Sequence, residues 1–454
     1  MNKNFVALAL VAVLSACATT SPMLEPKVGA AAGWNERATP AASAVTPDWW
    51  KAFGSDELQA LVDEALASSP DLAIAMERVR QAEAQVRVAG ASLFPALDAG
   101  YNARASRTSG ADNTDKGSNV SLTASYELDV WGRNAAGVRG AEAGLKATSF
   151  DRDTVRLTLL TGVATAYFDT LSLRGRLALA RENLAIAERV LSVVRARTRN
   201  GAVSPLDLAR QEAAVLSQRS ALLALEQQER QTLAALAVLV GRVPEGFDLK
   251  AAGLAGMEVP SIDPGLPADL LLRRPDLASS EAQLAAANAN LAAARAALLP
   301  KIQLTGSAGV ASSALLAVVN GPTSAVAIAA SILQPIFDGG RLKGQVTIAE
   351  SRERELLQSY RKSILTAFAD VEQALAAASR LAERETLQGQ AQERAREALR
   401  LAEVRYREGA DDLLSVLDAQ RTLFDAQDQL AQIHRDRLES AVALYKALGG
   451  GWSA

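Results

Sequence analysis

The longest pattern in the chain is a seam of apolar residues that alternates spacings of four and three. It lies in a helical tract from about residue 134 to residue 200, and its period predicts a helix that supercoils around a partner helix. A second long helical tract runs from about residue 343 to residue 408, and a returning helix follows each tract. The pattern therefore predicts two coiled-coil hairpins. The seam positions in the first tract are Leu173, Leu177, Ala180, Leu184, Ala187, Leu191 and Val194.

Several helix ends are marked by capping residues. Gly201 follows the first long helix, where glycine ends helices because it adopts a positive φ without strain. Ser204-Pro205 then predicts the start of the returning helix, and Asp56 is expected to cap an earlier one. Gly409 stands at the equivalent turn of the second hairpin and is followed by Asp411-Asp412. These two carboxylates either form an acidic ring that binds cations or are simply solvated, and the sequence leaves both open.

Four segments of about ten residues alternate apolar and polar side chains, which is the period of a β-strand with one apolar face. The pattern is typical of transmembrane β-barrel strands, and a soluble sheet edge is the alternative. Four strands cannot close a barrel, and an open edge is forbidden in hydrocarbon, so several chains would have to share one. Three chains would supply twelve strands, with outer loops at 108–118 and near Asn320. Apolar positions in these segments include Leu97, Tyr101, Val120, Leu122, Ile302, Leu304, Val326 and Ile328.

The chain is internally duplicated at an offset of about 205 residues. Pro70-Asp71-Leu72 opens a helix in the first half, and Pro275-Asp276-Leu277 does so in the second. Each half is then predicted to continue with two strands and a long hairpin, as in two equivalent units around a common axis. The predicted boundaries are residues 1–16 for a signal peptide, 17–68 for an N-terminal lipidated segment and equatorial part, 69–241 and 274–449 for the repeats, 242–273 for a linker and 450–454 for a C-terminal tail.

The N-terminus has the features of a bacterial lipoprotein signal. Lys3 precedes an apolar run that is too short to span a bilayer, as in the h-region of a signal peptide. The run closes with Leu14-Ser15-Ala16-Cys17, a lipobox in which the thiol is lipidated and becomes the mature N-terminus. Cys17 is the only cysteine and so has no intramolecular partner. An ordinary secretory signal is the alternative, and Ala18, by resemblance to known lipoproteins, favours sorting to the outer membrane.

Composition argues against several classes of function. The formal net charge of -3 gives no basic surface for nucleic acid. No apolar stretch of about 18 residues follows the signal, so no membrane-spanning helix is predicted. One histidine and one cysteine argue against histidine catalysis and against zinc or iron ligation. The chain lacks a G-x-x-x-x-G-K loop and a nucleophile–base pair, so we expect no enzyme, no metal and no cofactor beyond a covalent lipid.

Paired motifs recur in a fixed order along essentially the whole mature chain. They are Trp49-Trp50, Phe53, Leu58, Leu61, Ala65-Leu66, Pro70-Asp71-Leu72, Phe94-Pro95, residues 126–133 (YELDVWGR) and residues 335–341 (PIFDGGR). In this order they resemble the outer-membrane efflux proteins of the TolC type, and the lipidated, NodT-like branch fits best. The resemblance implies a mainly α-helical homotrimer with a twelve-stranded barrel in the outer membrane and a helical tunnel in the periplasm. It also implies a passive exit duct, linked by a periplasmic adaptor to an inner-membrane transporter.

The resemblance further implies a periplasmic gate formed by the second hairpin. Its apolar and acidic positions fall on Leu414 and Asp418, which lie four residues apart on one helix face. Around a threefold axis, three copies of Leu414 would exclude water and three of Asp418 would form an acidic ring. The alternative is that Leu414 belongs to the seam and Asp418 is a solvated surface charge. Gly201 and Gly409 match the tip glycines at which adaptors dock, in addition to capping their helices.

A lipid-anchored periplasmic adaptor is the main alternative function, because adaptors also carry a long helical hairpin. An adaptor, however, has one hairpin and an extensive β-rich half, whereas this chain carries two hairpins and little strand. A secreted enzyme would need a polar catalytic constellation, for which the sequence offers no candidates. We therefore expect an outer-membrane channel whose tunnel extends into the periplasm.

Overall fold

The computed structural model describes residues 23–29, 33–36, 44–107, 114–312 and 323–453. The predicted signal peptide, Cys17 and the loop near Asn320 lie outside these ranges. The α-helices are α1 (Asp56–Ser68), α2 (Pro70–Ala91), α3 (Arg133–Arg199), α4 (Pro205–Leu239), α5 (Leu270–Arg273), α6 (Pro275–Ala296), α7 (Arg341–Arg407) and α8 (Leu413–Ala447). The strands are β1 (Ala96–Arg107), β2 (Thr114–Leu128), β3 (Lys301–Ser312) and β4 (Thr323–Leu333), and short 3-10 helices span Trp49–Phe53 and Pro267–Asp269.

The two halves of the chain contain the same elements in the same order. The long helices α3 and α7 both have 67 residues, and the returning helices α4 and α8 both have 35. The helices that precede the strands, α2 and α6, both have 22 residues. The predicted fold class, mainly helical with a small antiparallel sheet, is confirmed. In the part of the chain that the structure describes, none of the helices combines the length and apolarity that a membrane crossing requires.

The four strands form one antiparallel sheet in the order β1-β2-β3-β4. Directly opposed residues share a face, and the row through Leu122 contains Ala99, Ala308 and Val326. The adjacent row belongs to the other face and runs from Asp98 through Thr123 and Ser307 to Ala327. The register therefore gathers the apolar positions of the strands on one face, as their alternation predicts. Both faces of β4 are exposed in the single chain.

Two local predictions are wrong. Helix α1 is capped by Ser55, whose Oγ accepts a hydrogen bond from the Leu58 N–H at 3.1 Å, and Asp56 is the first helical residue. The aspartate still stabilises the first turn, because its charge complements the helix dipole. The loop predicted at 108–118 does not include its last five residues, since β2 begins at Thr114 and Ser118 pairs with Ala103 and Ser312, while residues 108–113 lie outside the described ranges. Serine and glycine suggested a loop there, but pairing with strands on both sides overrides their low strand preference.

An aspartate directs the change from strand to long helix in each half. Asp129 accepts hydrogen bonds from the N–H groups of Asn134 and Ala135, at 2.9 and 2.7 Å. Asp338 also accepts two backbone hydrogen bonds, from the N–H groups of Gly340 and Leu342, both at 3.0 Å. These carboxylates satisfy amide groups that have no partner within the first helical turn. Each of the two motifs thus contains an aspartate whose side chain accepts hydrogen bonds at the start of the long helix.

Two compact units make up the chain, and the sheet and the hairpin tips belong to different ones. One includes Glu77–Phe150 and Ala278–Lys362, which contain the sheet, and the other includes Asp151–Leu277 and Ser363–Ala454, which contain both hairpin turns. The second unit has an aromatic core, in which Trp49 stacks on Tyr445 with ring centroids 5.0 Å apart. Phe53 packs against Phe168 at 4.9 Å in the same core.

Candidate functional site at the hairpin tips

The first hairpin turns at Gly201, which has a φ of +70°. Its N–H donates to the carbonyl of Thr198 at 3.0 Å, and the next N–H, of Ala202, donates to the carbonyl of Arg197 at 2.9 Å. Ser204 then caps α4 in a capping box, in which its side chain and that of Asp207 each accept a backbone N–H. The tip is therefore closed by its own backbone, and a residue other than glycine would be strained at position 201.

The second hairpin turns at Gly409 in the same way, with a φ of +75°. Asp412 caps α8 by accepting a hydrogen bond from the Ser415 N–H at 3.0 Å. Asp411 accepts a hydrogen bond from the Ser415 hydroxyl at 2.9 Å and pairs with Arg405 at 3.3 Å. These contacts, with the Asp412 N–H, lower the pKa of Asp411. Both predicted ring carboxylates therefore have structural partners at the tip.

The gate candidates lie on the exposed side of α8, one residue away from the core. Leu413 and Val416 are 4% and 1% exposed and belong to a core shared by α3, α7 and α8. Leu414, in contrast, is 54% exposed, so it is not a seam residue in the single chain. Asp418 is also exposed and pairs with Arg421 on its own helix at 3.2 Å. The structure thus places Leu414 and Asp418 on one accessible strip, where a neighbouring copy or the lumen could meet them.

A groove joins the gate candidates to the first hairpin. It has a volume of about 460 Å³ and lies between α4 and α8, with Ala187 of α3 at its floor. Arg210 of α4 lines it together with Leu414 and Asp418 of α8, so equivalent positions of the two repeats, 210 and 418, contribute opposite charges to one groove. Sequence reasoning missed the groove residues Gln420 and Arg421. Gln420 is only 3% exposed, which is unusual for a glutamine. The sequence does not show this burial, because it depends on which helices pack against α8.

A further contact ties the two tips to each other. The Arg197 guanidinium donates to the carbonyls of Tyr406 and Arg407 at 3.3 and 3.1 Å. It also lies 4.7 Å from the centroid of the Tyr406 ring, within the range of a cation–π interaction. Because these carbonyls lie in the last turn of α7, the positive guanidinium also stabilises the C-terminus of that helix. Arg197 of α3 thus joins the tip of the first hairpin to the tip of the second.

Known proteins resemble this chain along its whole length. The family model described as outer membrane efflux protein matches residues 61–242 and 266–450. The pyoverdine export outer membrane protein OpmQ of Pseudomonas aeruginosa is 42% identical, over 100% of this chain and 98% of its own. The toluene efflux pump outer membrane protein TtgI of Pseudomonas putida is 34% identical, over 88% of this chain and 87% of its own.

The solved structures that resemble the chain include outer-membrane channels. The open state of the MtrE outer membrane channel of Neisseria gonorrhoeae has a TM-score of 0.84 and 31% identity, and the match covers 95% of this chain and 98% of that chain. The CmeC outer membrane channel of Campylobacter jejuni has a TM-score of 0.88 and 25% identity, over 96% of each chain. The duplicated hairpins and the four-stranded sheet are thus parts of a fold found in solved channels.

Proposed function

The chain belongs to the outer membrane efflux protein family, and from this premise we propose that three copies form an exit duct of a tripartite efflux pump. An inner-membrane transporter supplies the energy, and a periplasmic adaptor joins it to the duct. The duct passes small molecules without chemistry of its own. Family membership disfavours the adaptor alternative, because the family model matches both repeats.

The observation that carries this proposal is the open, two-faced sheet. Its outer strands β1 and β4 each have an edge that no other described residue of the chain pairs with, and Ile328 on β4 is 87% exposed. Unpaired backbone groups are not tolerated in hydrocarbon. Joining β4 of one copy to β1 of the next removes every edge, and three copies give a closed barrel of twelve strands. The apolar face then meets lipid and the polar face lines the lumen.

We place the periplasmic constriction at Leu414 and Asp418. A ring of apolar side chains excludes water from a narrow pore, and an adjacent ring of carboxylates selects by charge. The exposure of both residues supports this placement, because a buried seam residue could not line a pore. We propose that the adaptor binds the glycine turns at Gly201 and Gly409. The contact of Arg197 with the end of α7 would then couple movements of the two hairpins.

The lipid anchor is proposed on sequence grounds alone. Cys17 is the only cysteine and follows a lipobox. Acylation there would place the N-terminus at the membrane surface and add a second anchor to the barrel. Mass spectrometry of the mature protein should find the acyl mass on Cys17 and none in Cys17→Ser, whereas an unmodified thiol would contradict the anchor.

Conductance of the purified protein in planar bilayers tests the duct itself. A shared barrel predicts discrete single-channel steps that persist in the absence of any adaptor or transporter. Boiled protein, in which the barrel is dissociated, is the control. A protein that inserts into the bilayer without conducting steps would contradict the proposed function.

A further inference from the structure

The groove between α4 and α8 combines an apolar floor with a charged rim. Phe424 and Ala187 on the floor are 8% and 2% exposed, and Leu417 packs beside them. Arg210 and Arg421 lie on the rim with one carboxylate, that of Asp418. The rim therefore carries a surplus of one positive charge above an apolar surface. Its volume of about 460 Å³ is within the range of pockets that hold small molecules.

A buried hydrogen-bond donor without a partner lies in this groove. Gln420 is only 3% exposed and lines the groove, yet its Nε2 has no hydrogen-bond partner among the residues that the structure describes. A buried amide without a partner is destabilising, and most buried polar groups in native structures have a hydrogen-bond partner. An acceptor on a ligand in the groove would satisfy this amide.

The two arginines of the rim differ in whether they have an ionic partner. Arg421 pairs with Asp418 at 3.2 Å, although both side chains are well exposed, which makes the pair weak and exchangeable. Arg210 makes no ion pair with any residue in the described part of the chain. The guanidinium of Arg210 can therefore bind an anion directly, and that of Arg421 can bind an anion that displaces Asp418. Guanidinium groups bind carboxylates through paired, charge-assisted hydrogen bonds.

The geometry points to a binding site for an amphiphilic organic anion, a compound with a carboxylate and an apolar body. The carboxylate accepts hydrogen bonds from Arg210 and from the Gln420 amide, and the apolar body lies on Leu417 and Phe424. The site is part of the proposed gate region, and its importance for export rests on the proposed function. An anion in the groove competes with Asp418 for Arg421, so binding weakens a contact of the constriction itself.

Titration of the detergent-solubilised full-length protein with 2-naphthoate tests the site. The neutral isostere 2-naphthamide, which keeps the apolar body without the charge, is the ligand control. We expect 2-naphthoate to bind at least about tenfold more tightly than 2-naphthamide, the ratio typical of one charged hydrogen bond. Arg210→Gln and Gln420→Leu should each remove about tenfold of that affinity. Arg219→Gln is the matched control, because Arg219 lies on α4 but pairs with Glu188 outside the groove.

Asp418→Asn distinguishes a binding role from a structural one. Removing the competing carboxylate should tighten 2-naphthoate binding, whereas damage to the fold would weaken it. Equal affinity for the two ligands, absence of binding, or equal losses in Arg210→Gln and Arg219→Gln would each overturn the site. Binding is measured without a bilayer, so its failure leaves the conductance of the duct untouched. Conversely, a protein that binds 2-naphthoate but forms no channel would refute the duct and not the site.

Discussion

Two adjacent leucines at the tip of the second hairpin have opposite environments, and the capping residue of α8 determines which leucine is buried and which is exposed. Asp412 fixes the start of α8, so that Leu413 packs into the shared core and Leu414 faces outward. Successive helical residues are rotated by about 100° around the axis, so a shift of the cap by one residue would exchange their roles. The position of the proposed constriction is thus set by the cap.

Shortening the gate side chains should open the duct. In the double variant Leu414→Ala and Asp418→Ser, three leucines and three carboxylates leave the proposed constriction. Water then fills it more readily, and we expect a several-fold larger single-channel conductance and greater sensitivity of cells to large antibiotics. Leu206→Ala is the control, because Leu206 is the equivalent residue of the first repeat and is similarly exposed, at 57%. If both variants conduct like the parent, the constriction lies elsewhere.

A second residue-scale feature is an excess of carboxylates around Arg435. This guanidinium contacts Asp169 at 3.1 Å, Asp436 at 2.6 Å and Glu439 at 3.7 Å. Burial, followed by repulsion from Asp169, raises the pKa of Glu439 from 4.5 to about 7. One cation for three acids thus leaves Glu439 protonated over much of the acidic range. The ionised form of Glu439 is therefore unfavourable in the fold.

The stability of the protein should depend on pH through this residue. Because the folded-state pKa is the higher one, the favourable contribution is full below pH 4.5 and is lost as the pH rises through about 7. Glu439→Gln, which stays neutral, should therefore melt at a higher temperature than the parent at pH 8 and at the same temperature at pH 4.5. Glu385→Gln is a control of opposite sign, since hydrogen bonds from His434 and Arg437 lower the pKa of Glu385 despite its partial burial. Identical melting profiles of parent and Glu439→Gln would contradict this account.

At the scale of elements, the two hairpins are held in register by paired charges. Asp169 and Arg176 lie one heptad apart on α3, and Asp428 and Arg435 lie one heptad apart on α8. Asp169 meets Arg435 at 3.1 Å, and Arg176 meets Asp428 at 2.6 Å. Each helix places an acid before a base, so the two pairs match only when the helices are antiparallel and in this register. A slip of one heptad, about two helical turns, would set like charges against each other.

Reversing one pair tests this register. Arg176→Asp should lower the free energy of unfolding, because it sets two carboxylates together beside the core. The double variant Arg176→Asp with Asp428→Arg restores the attraction, and we expect a coupling free energy of about 0.5–3 kcal/mol in a double-mutant cycle. The partly exposed Arg181–Glu226 pair, treated in the same way, should give less. Additive effects at Arg176 and Asp428 would mean that the pair does not fix the register.

Local signals predicted the elements, and tertiary packing decided the rest. The seam, the turns at Gly201 and Gly409 and the alternating strands depend on neighbours within a few residues, so the sequence was sufficient for them. Ser55 and Asp56 are both residues that can cap a helix, and the backbone geometry decides that Ser55 caps α1. The sequence therefore did not distinguish them. The groove depends on α4 meeting α8, more than 200 residues apart in the chain. No local pattern could have identified the unpaired amide of Gln420.

At the scale of the whole molecule, the apolar face of the sheet is suited to lipid and the polar face to water. Leu122→Arg introduces a charge in the apolar row, which should cost about 2–4 kcal/mol near the centre of a bilayer. Thr123→Arg is the matched control, because the adjacent residue faces the polar side, where a charge meets water. We expect Leu122→Arg to reduce the amount of assembled protein in outer membranes and Thr123→Arg to leave it nearly unchanged. Equal yields would mean that the apolar face does not meet lipid.

Stoichiometry is the most direct test of the central claim, that several chains complete one barrel. Within the described residues of one chain, the four strands form a sheet whose outer strands β1 and β4 each lack a partner on one edge. Native mass spectrometry of protein extracted from outer membranes in mild detergent counts the chains in each particle. The account predicts particles of three chains, which dissociate only under conditions that also abolish bilayer conductance. A monomeric particle that still forms channels would contradict it.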